Sequence, residues 1–385
     1  MKKYQRLLLI IISIVSLGLF LAYRHQYNRL HHVLEVFNFF GTPCNISELQ
    51  NSERVQLEYD WGPLSIWQEV DSRWYIYNAF LVKENIINGI TLKENTKTFP
   101  NMCYILYENE GKFKTGKLSV QKLFENNNSN MVAFMYSCKL SMTSKEPYLV
   151  AFKVQSEYRY NSVLVTNSLT SKQSLNMTIC VAVRKFTKKA LFEFLSFHKL
   201  NGADSFLIYL EQNIPYGLIK LLRNFANPLN LLITFLNWNV PSSISENLSS
   251  ALMEKDCQMR TKTHSKFSIF LHLNEYMLPL SPGIIQNSSA DILAIKTFCL
   301  NHINKNRPII LSNFEAVDNV KFNETRKIYK NTQNQSSVCA THFCTIFRYK
   351  KCPKNVKTRT DTSMKAFSED LTKSTLIQLL MNDDV

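Results

Sequence analysis

Three polar side chains lie together in the 385-residue sequence, directly after an apolar stretch. His272, Asn274 and Glu275 lie in the second half of the segment 269–276, which reads Ile-Phe-Leu-His-Leu-Asn-Glu-Tyr. Imidazole nitrogen and amide or carboxylate oxygen are donor atoms that divalent cations accept in proteins. The grouping therefore predicts a cation site formed by these three residues. Ordinary polar residues that end a strand would give the same spacing.

Alternating strand and helix signals surround this group and predict how it is positioned. Strands are expected at 179–183, 206–210, 229–236 and 267–273, and helices at 187–201, at 215–225 and after Ser243 or Ser245. Such alternation is typical of βαβ units, which build a doubly wound, mostly parallel sheet in the α/β class. Ligands of such sheets bind beyond the carboxyl ends of the strands, where His272 lies.

The preceding region has a different pattern. Strand-like stretches at 74–77, 102–107, 131–136 and 148–154 are separated by turn residues such as 126–129, which read Asn-Asn-Asn-Ser. This pattern is typical of β-rich structure. We therefore expect a β-rich region at 61–175, followed by the α/β domain at 176–385.

The first residues predict a membrane anchor. Lys2, Lys3 and Arg6 precede an apolar run at 7–22, so the expected order is a cytosolic tail at 1–6, a transmembrane signal anchor at 7–23 and a stem at 24–60. Sixteen apolar residues span about 24 Å, slightly less than a bilayer core. A cleaved signal peptide is the alternative, although the small residues before a cut match its pattern poorly.

Two further features agree with a secretory chain. Seven Asn-x-Ser/Thr triplets begin at Asn45, Asn127, Asn176, Asn247, Asn287, Asn323 and Asn334. Nine cysteines would form disulfides in an oxidising compartment, with at least one left over. The group Cys339, His342 and Cys344 could bind zinc, but a disulfide is the expected fate there.

The chain carries a formal net charge of +15, and much of the excess lies late in the sequence. The stretch 321–365 holds 11 Lys and Arg against two acids, Glu324 and Asp361. Such a stretch attracts polyanions. An anchored lumenal domain does not meet nucleic acid, which leaves sugar-nucleotide phosphates, sulfated glycans or anionic lipid head groups, or a merely solvated surface.

The order of these motifs resembles glycosyltransferase family 92. Most of the matching residues lie at 178–283, and 74–80 adds an upstream segment. The positions that carry the resemblance are Cys180, Ala182, Glu193, Phe194, Phe197, His198, Gly202, Tyr209, Trp238, Asp256, Cys257 and Lys266. The resemblance implies a fold of the GT-A kind in a single-pass type II protein of the Golgi membrane. It also implies inverting transfer of a hexose, typically galactose, from a UDP-sugar to a glycan.

The resemblance also suggests roles for individual residues. Glu193, His198 and Asp256 match family positions and become candidates for binding the sugar nucleotide, while structural roles on their helices are the simpler alternative. Glu275, Glu315 and Asp318 are the candidates for the base that deprotonates the acceptor hydroxyl, although exposed loop acids would look the same for the last two.

The sequence departs from the family at its acidic motif. The family carries D-x-D-E where this chain reads His272-Leu273-Asn274-Glu275, so two metal-binding aspartates are replaced. A Mn²⁺ cofactor is therefore doubtful, and two hypotheses stay open. Either lysines and arginines offset the diphosphate charge in a working transferase, or the protein is an inactive family member that binds glycans or a Golgi partner. A secreted, heparin-binding protein is a more distant alternative.

Overall fold

A computed structural model of the chain describes most of the residues from 66 onward. The described residues are 16, 66–71, 73–83, 85–94, 99–107, 113–125, 130–140, 147–151, 162–167, 175–184, 187–211, 222, 231–240, 244–278, 290–301, 307–318, 325–331, 345–353 and 355–382. Except for Ser16, they belong to one compact unit, Leu57–Val385. The predicted anchor and stem, the helix at 215–225 and the group Cys339–His342–Cys344 lie outside or almost wholly outside them.

No helix among these residues has the length and apolar character that crossing a bilayer requires.

The first part of the described chain is a closed barrel of seven strands with one additional strand. The strands are β1 (Gln68–Asp71), β2 (Trp74–Lys83), β3 (Ile86–Glu94), β4 (Met102–Tyr107), β5 (Lys114–Glu125), β6 (Met131–Lys139), β7 (Pro147–Ala151) and β8 (Ser162–Asn167). Their order is β1-β2-β3-β6-β5-β4-β7-β8, and a parallel pairing of β2 with β8 closes the ring. Strands occur at all four stretches where the sequence predicted them.

A disulfide between Cys103 of β4 and Cys138 of β6 spans the intervening strand β5 inside the barrel. The strand passes closely enough that a Cβ atom at Gly116 would lie 2.9 Å from the Cys103 Sγ and 2.8 Å from the Lys139 carbonyl oxygen. Only glycine fits such an approach of backbone and sulfur. The bridge and Gly116 therefore depend on each other.

The second part contains a ten-stranded sheet with helices. Its strands are β9 (Leu175–Val183), β10 (Ser205–Leu210), β11 (Leu232–Asn237), β12 (Ser265–His272), β13 (Glu275–Met277), β14 (Ala290–Cys299), β15 (Glu315–Val317), β16 (Thr325–Lys330), β17 (Thr345–Lys350) and β18 (Thr358–Thr360). The α-helices are α1 (Lys188–Leu200), α2 (Glu246–Thr261), α3 (Ser368–Lys373) and α4 (Thr375–Asn382), with 3₁₀ turns at Ile309–Leu311 and Ser363–Phe367.

The sheet is mixed, so the prediction of a mostly parallel, doubly wound α/β fold of the GT-A kind is wrong. Only β11-β10-β9-β12 form a continuous parallel block. Beyond β12 the pairings of β16, β14, β15 and β18 are antiparallel, and β17 pairs parallel to β14 and antiparallel to β13. Parallel neighbours need long crossovers, usually helical, and the described chain from Glu275 to Thr360 contains no α-helix. The βαβ pattern therefore ends where β12 ends.

The helices that frame the parallel block begin where the sequence places a cap. The Thr187 side chain accepts a hydrogen bond from the Ala190 N–H, and the Ser245 side chain accepts one from the Leu248 N–H. Gly202, with a φ of 91°, follows α1 in the left-handed region that favours glycine. The expected helix boundaries at these three residues are confirmed.

The two faces of the parallel block have different coverings. Alternate residues such as Val181 and Leu271 face α1 and α4, while Cys180 and Phe270 face α2 and barrel residues including Tyr77. A second disulfide, Cys180–Cys257, fixes α2 to β9 on the barrel side. The parallel block is therefore buried on both faces.

A buried ionic network lies between the barrel and the sheet. The Asp256 carboxylate on α2 is fully buried and accepts hydrogen bonds from the Tyr209 hydroxyl at 2.6 Å, from the Arg260 guanidinium and from the Asn78 amide of β2. The Arg260 guanidinium also lies over the Phe80 ring, at 5.4 Å from its centroid. Each buried charge thus has its partner in place, as desolvated ions require.

We expect loss of the Asp256 charge to destabilise the fold strongly. Asp256→Asn leaves the buried Arg260 cation without a counterion, which costs about 3–5 kcal/mol of unfolding free energy. Urea denaturation measures the change. Glu369→Gln is the matched control, because its pair with Lys373 is largely exposed and contributes less than about 1 kcal/mol. Equal stability of the two variants would contradict the structural role of Asp256.

Candidate functional site

A cleft of about 1040 Å³ opens at the carboxyl ends of β9 and β12. One wall is a face of α2, where Glu246, Ser250 and Glu254 follow one another at intervals of four residues. We call it the helix wall; it also includes Asn247 and Ala251. A second wall, which we call the strand wall, contains Thr325 and Arg326 of β16 together with Arg348, Tyr349 and Lys350 of β17.

The predicted trio lies at the floor of this cleft, and the structure brings its members together. His272 and Asn274 line the cleft, and Glu275 lies buried behind them. The Glu275 carboxylate accepts a hydrogen bond from the His272 backbone N–H at 2.9 Å. The short turn between β12 and β13 therefore closes on its own carboxylate.

Two arginines from the strand wall hold Glu275. Arg326 donates from Nε and Nη2 to the two carboxylate oxygens, each at 3.0 Å, and Arg348 donates from Nε and Nη2 at 2.8 and 2.6 Å. Burial alone would raise the pKa of the Glu275 carboxyl, but the two guanidinium groups outweigh it and hold the pKa below its usual value. Glu275 therefore remains ionised.

These contacts decide what Glu275 can do. Its two oxygens receive five hydrogen bonds, and a carboxylate offers about four lone-pair sites. No lone pair is left to take a proton from a substrate or to bind a metal ion. The geometry gives Glu275 the role of a counterion that fixes the two arginines.

The other two members also fit a metal ion poorly. Burial lowers the pKa of the His272 imidazole to about 4; Glu275 opposes the shift and the nearby arginines add to it. The Asn274 amide donates to the Tyr349 carbonyl at 2.9 Å. The described residues contain no group of three His, Cys, Asp or Glu side chains suited to a metal ion. With two guanidinium groups alongside, this set does not match the anionic oxygen site that Mn²⁺ prefers.

The residues predicted to bind the nucleotide lie away from the cleft. Asp256 belongs to the buried network between barrel and sheet. Glu193 is fully buried in α1, where its two oxygens accept the backbone N–H groups of Ile309 at 2.8 Å and Ile310 at 2.9 Å. Burial raises the pKa of the Glu193 carboxyl to about 7, although those N–H groups oppose the shift. Since Ile309 lines the cleft, Glu193 supports its wall from behind.

His198 connects α1 to β13 and does not face the cleft. Its Nδ1–H donates to the Phe194 carbonyl at 2.9 Å, and its Nε2 accepts from the Met277 backbone N–H at 3.2 Å. Both ring nitrogens are thus used by the neutral imidazole. Burial lowers the pKa of His198 to about 4.

The remaining predicted bases are outside the cleft. Glu315 begins β15 and is exposed, with its carboxylate bonded to the Asn301 amide. Asp318 follows β15 and pairs with Arg359 at 3.6 Å on the surface. Neither residue lines the cleft, so the structure does not bring either to the predicted trio.

Sequence reasoning missed the charged residues of both walls. Arg326, Arg348 and Lys350 belong to the basic stretch 321–365, which carried a general signal for a polyanion but did not single them out. Arg184, at the end of β9, also lines the cleft and pairs with Glu211 and Glu246. Glu254 of the helix wall had no motif to mark it.

We expect His198 to make stability depend on pH. The unfolded imidazole takes a proton as pH falls through 6.5, whereas the folded one does so only near 4. Between these values unfolding becomes more favourable as pH falls, by a total of about 3 kcal/mol. In His198→Gln this contribution to the pH dependence of the unfolding free energy should disappear. Urea denaturation of both proteins from pH 7.5 to 4.5 measures it, and the Glu193 contribution cancels because both proteins carry it. Parallel curves would contradict the assignment.

Comparison with known proteins identifies the domain that contains this cleft. Glycosyltransferase family 92 matches residues 176–367. No curated protein matches the chain. Among solved structures, purple acid phosphatase from yellow lupin (Lupinus luteus) seeds aligns over 47% of this chain and 38% of its own, with 10% identity and a TM-score of 0.19. A similarity this low carries no argument. The family match includes both walls of the cleft, and the chain belongs to glycosyltransferase family 92.

Proposed function

We propose that the protein transfers a hexosyl group from a UDP-sugar to a hydroxyl group of a glycan, with inversion at the anomeric carbon. Galactose is the proposed hexose. The family supplies the reaction class, glycosyl transfer. The cleft supports the choice of donor, because its strand wall offers cationic side chains at the strand ends where nucleotides bind in α/β sheets. The leaving diphosphate needs such positive charge as its bond to the sugar breaks.

Arg326 is the observation that carries the proposal. A guanidinium has five N–H donors, and Glu275 accepts two of those of Arg326. Within the described part of the chain the other three have no hydrogen-bond partner, and the side chain is 18% exposed at the cleft. Glu275 thus orients the guanidinium and leaves donors for an anion, in the forked geometry that suits phosphate oxygens.

The cationic side chains of the strand wall also support a binding site for the donor diphosphate. Arg326, Arg348 and Lys350 are three cations that line the strand wall, and the buried Glu275 carboxylate pairs with Arg326 and Arg348. We propose that Arg326, through its remaining donors, and Lys350 supply the positive charge that a divalent cation supplies at other sites, so that donor binding does not need Mn²⁺.

We further propose that the protein works in the Golgi lumen, held by the predicted anchor at 7–23. Three disulfides, Cys103–Cys138, Cys180–Cys257 and Cys299–Cys352, support an oxidising compartment. The second candidate function is glycan or partner binding without turnover. The replacement of two acidic motif positions by His272 and Asn274 favours it.

We expect release of UDP from UDP-galactose that does not depend on a metal ion. Release of UDP is measured with UDP-galactose, UDP-glucose and UDP-N-acetylglucosamine as donors. Each donor is assayed once with added Mn²⁺ and once with excess EDTA. Equal rates in both support arginine-assisted departure of the diphosphate. A rate that disappears with EDTA contradicts it, and absence of release under all conditions favours the non-catalytic candidate.

We expect Arg326→Gln to weaken UDP binding at least about tenfold, because a charge-assisted hydrogen bond contributes about 1.5–3 kcal/mol. Isothermal titration with UDP in EDTA measures the affinity. Arg359→Gln is the matched control, since that arginine is exposed and pairs with Asp318 outside the cleft. Arg326→Lys keeps the charge beside Glu275 and should lose less affinity. Equal affinity of the Arg326 and Arg359 variants would contradict the proposed donor site.

A further inference from the structure

The helix wall of the cleft carries two acids, and they differ in environment. Glu246, at the start of α2, is largely exposed and forms an ion pair with Arg184. Glu254, two turns further along the same helix face, is partly buried and accepts a hydrogen bond from the Tyr329 hydroxyl at 2.8 Å. Within the described part of the chain no other group bonds to the Glu254 carboxylate, so one of its oxygens is oriented and the other has no partner.

The other described acids near the sheet are already engaged. Glu275 is saturated by two arginines, Glu193 caps the turn at Ile309–Leu311, and Asp256 is buried against Arg260. Glu211 pairs with Arg184 and accepts from the Ser249 hydroxyl. Among the acids that line the cleft, Glu254 is therefore the one that combines a fixed position with a free oxygen.

Glu254 and the cations line the same cleft. Tyr329, which holds Glu254, is three residues beyond Arg326 on β16, so the two Cα atoms lie about 10 Å apart and the two side chains point to opposite faces of the strand. The Glu254 carboxylate therefore reaches the cleft from the α2 side, apart from the guanidinium groups. A sugar whose diphosphate contacts the strand wall can present its anomeric carbon to a hydroxyl group on the helix side.

We propose that Glu254 is the general base of the transfer reaction and that Tyr329 positions it; this inference rests on the proposed function. The acceptor oxygen forms a bond to the anomeric carbon while the bond from that carbon to the diphosphate oxygen breaks. The electron pair of that bond leaves with the nucleoside diphosphate. The hydroxyl proton passes to the free Glu254 oxygen and then to solvent, so charge and atoms balance.

The test compares transfer with donor binding in the full chain. UDP-galactose is the donor and a panel of octyl β-D-hexosides supplies acceptors, while titration with UDP reports the donor site independently. Glu254→Gln should lower kcat at least about 100-fold, as removal of a general base does, with the Kd for UDP changed less than about twofold. Glu369→Gln, an exposed acid of α3 outside the cleft, should behave as the unaltered chain.

Two further variants separate catalysis from folding. Glu254→Asp keeps the carboxylate but retracts it, and it should retain more activity than Glu254→Gln at an equal unfolding midpoint. Tyr329→Phe should lower kcat about three- to tenfold with the donor KM unchanged, because it removes the orienting hydroxyl alone.

Each outcome bears on a different part of the proposal. A Glu254→Gln kcat within tenfold of the unaltered chain overturns Glu254 as the base. UDP binding by the unaltered chain without transfer to any acceptor also overturns it, yet leaves the arginine donor site standing. Absence of UDP binding overturns the donor site, and the base with it.

Discussion

The Glu275 carboxylate is the constraint on which the cleft depends. It is buried, and it unites β13, β16 and β17 by accepting donors from Arg326, Arg348 and the turn at His272. A buried carboxylate needs such partners, since an unpaired charge in the interior costs several kcal/mol. The carboxylate compensates the partly buried guanidinium groups, and Arg326 still presents its remaining N–H donors to the cleft. Fold and electrostatic character thus come from the same contact.

This contact also changes the meaning of the altered acidic motif. Two aspartates would make the floor of the cleft negative and suited to a hard cation. Here His272 is kept neutral by burial, and Asn274 is used by the Tyr349 backbone. In the function proposed above, cationic side chains of the strand wall supply the positive charge that a metal ion would otherwise supply. That proposal links the residues at 272 and 274 to Arg326 and Lys350.

Local features of the fold were predictable from sequence, and long-range ones were not. The cap at Thr187, the stop at Gly202 and a strand at 267–273 follow from neighbouring residues; the cap and the stop are confirmed, and the strand is observed as Ser265–His272. The order of β13 to β18 depends on pairings between distant segments, for which neither periodicity nor spacing gives a signal. The sheet was therefore predicted too parallel.

The site shows the same division between local and distant information. The grouping of His272, Asn274 and Glu275 was visible in the sequence. The two arginines that hold Glu275 lie 51 and 73 residues further along the chain. Asp256 was a candidate nucleotide ligand because it matches a family position, and its barrel partner Asn78 is 178 residues away in the sequence. A charged residue in a motif does not reveal whether it faces a ligand or a counterion.

The aromatic residues between barrel and sheet give the molecule a built-in optical reporter. Trp67 and Trp238 lie with ring centroids 5.4 Å apart, and Tyr77 of the barrel contacts Trp238 at 4.5 Å. One indole belongs to the barrel side and the other follows β11, and both are buried. Both indoles therefore stay shielded from water only while the two layers remain docked. Separation of the layers would expose them and change their fluorescence.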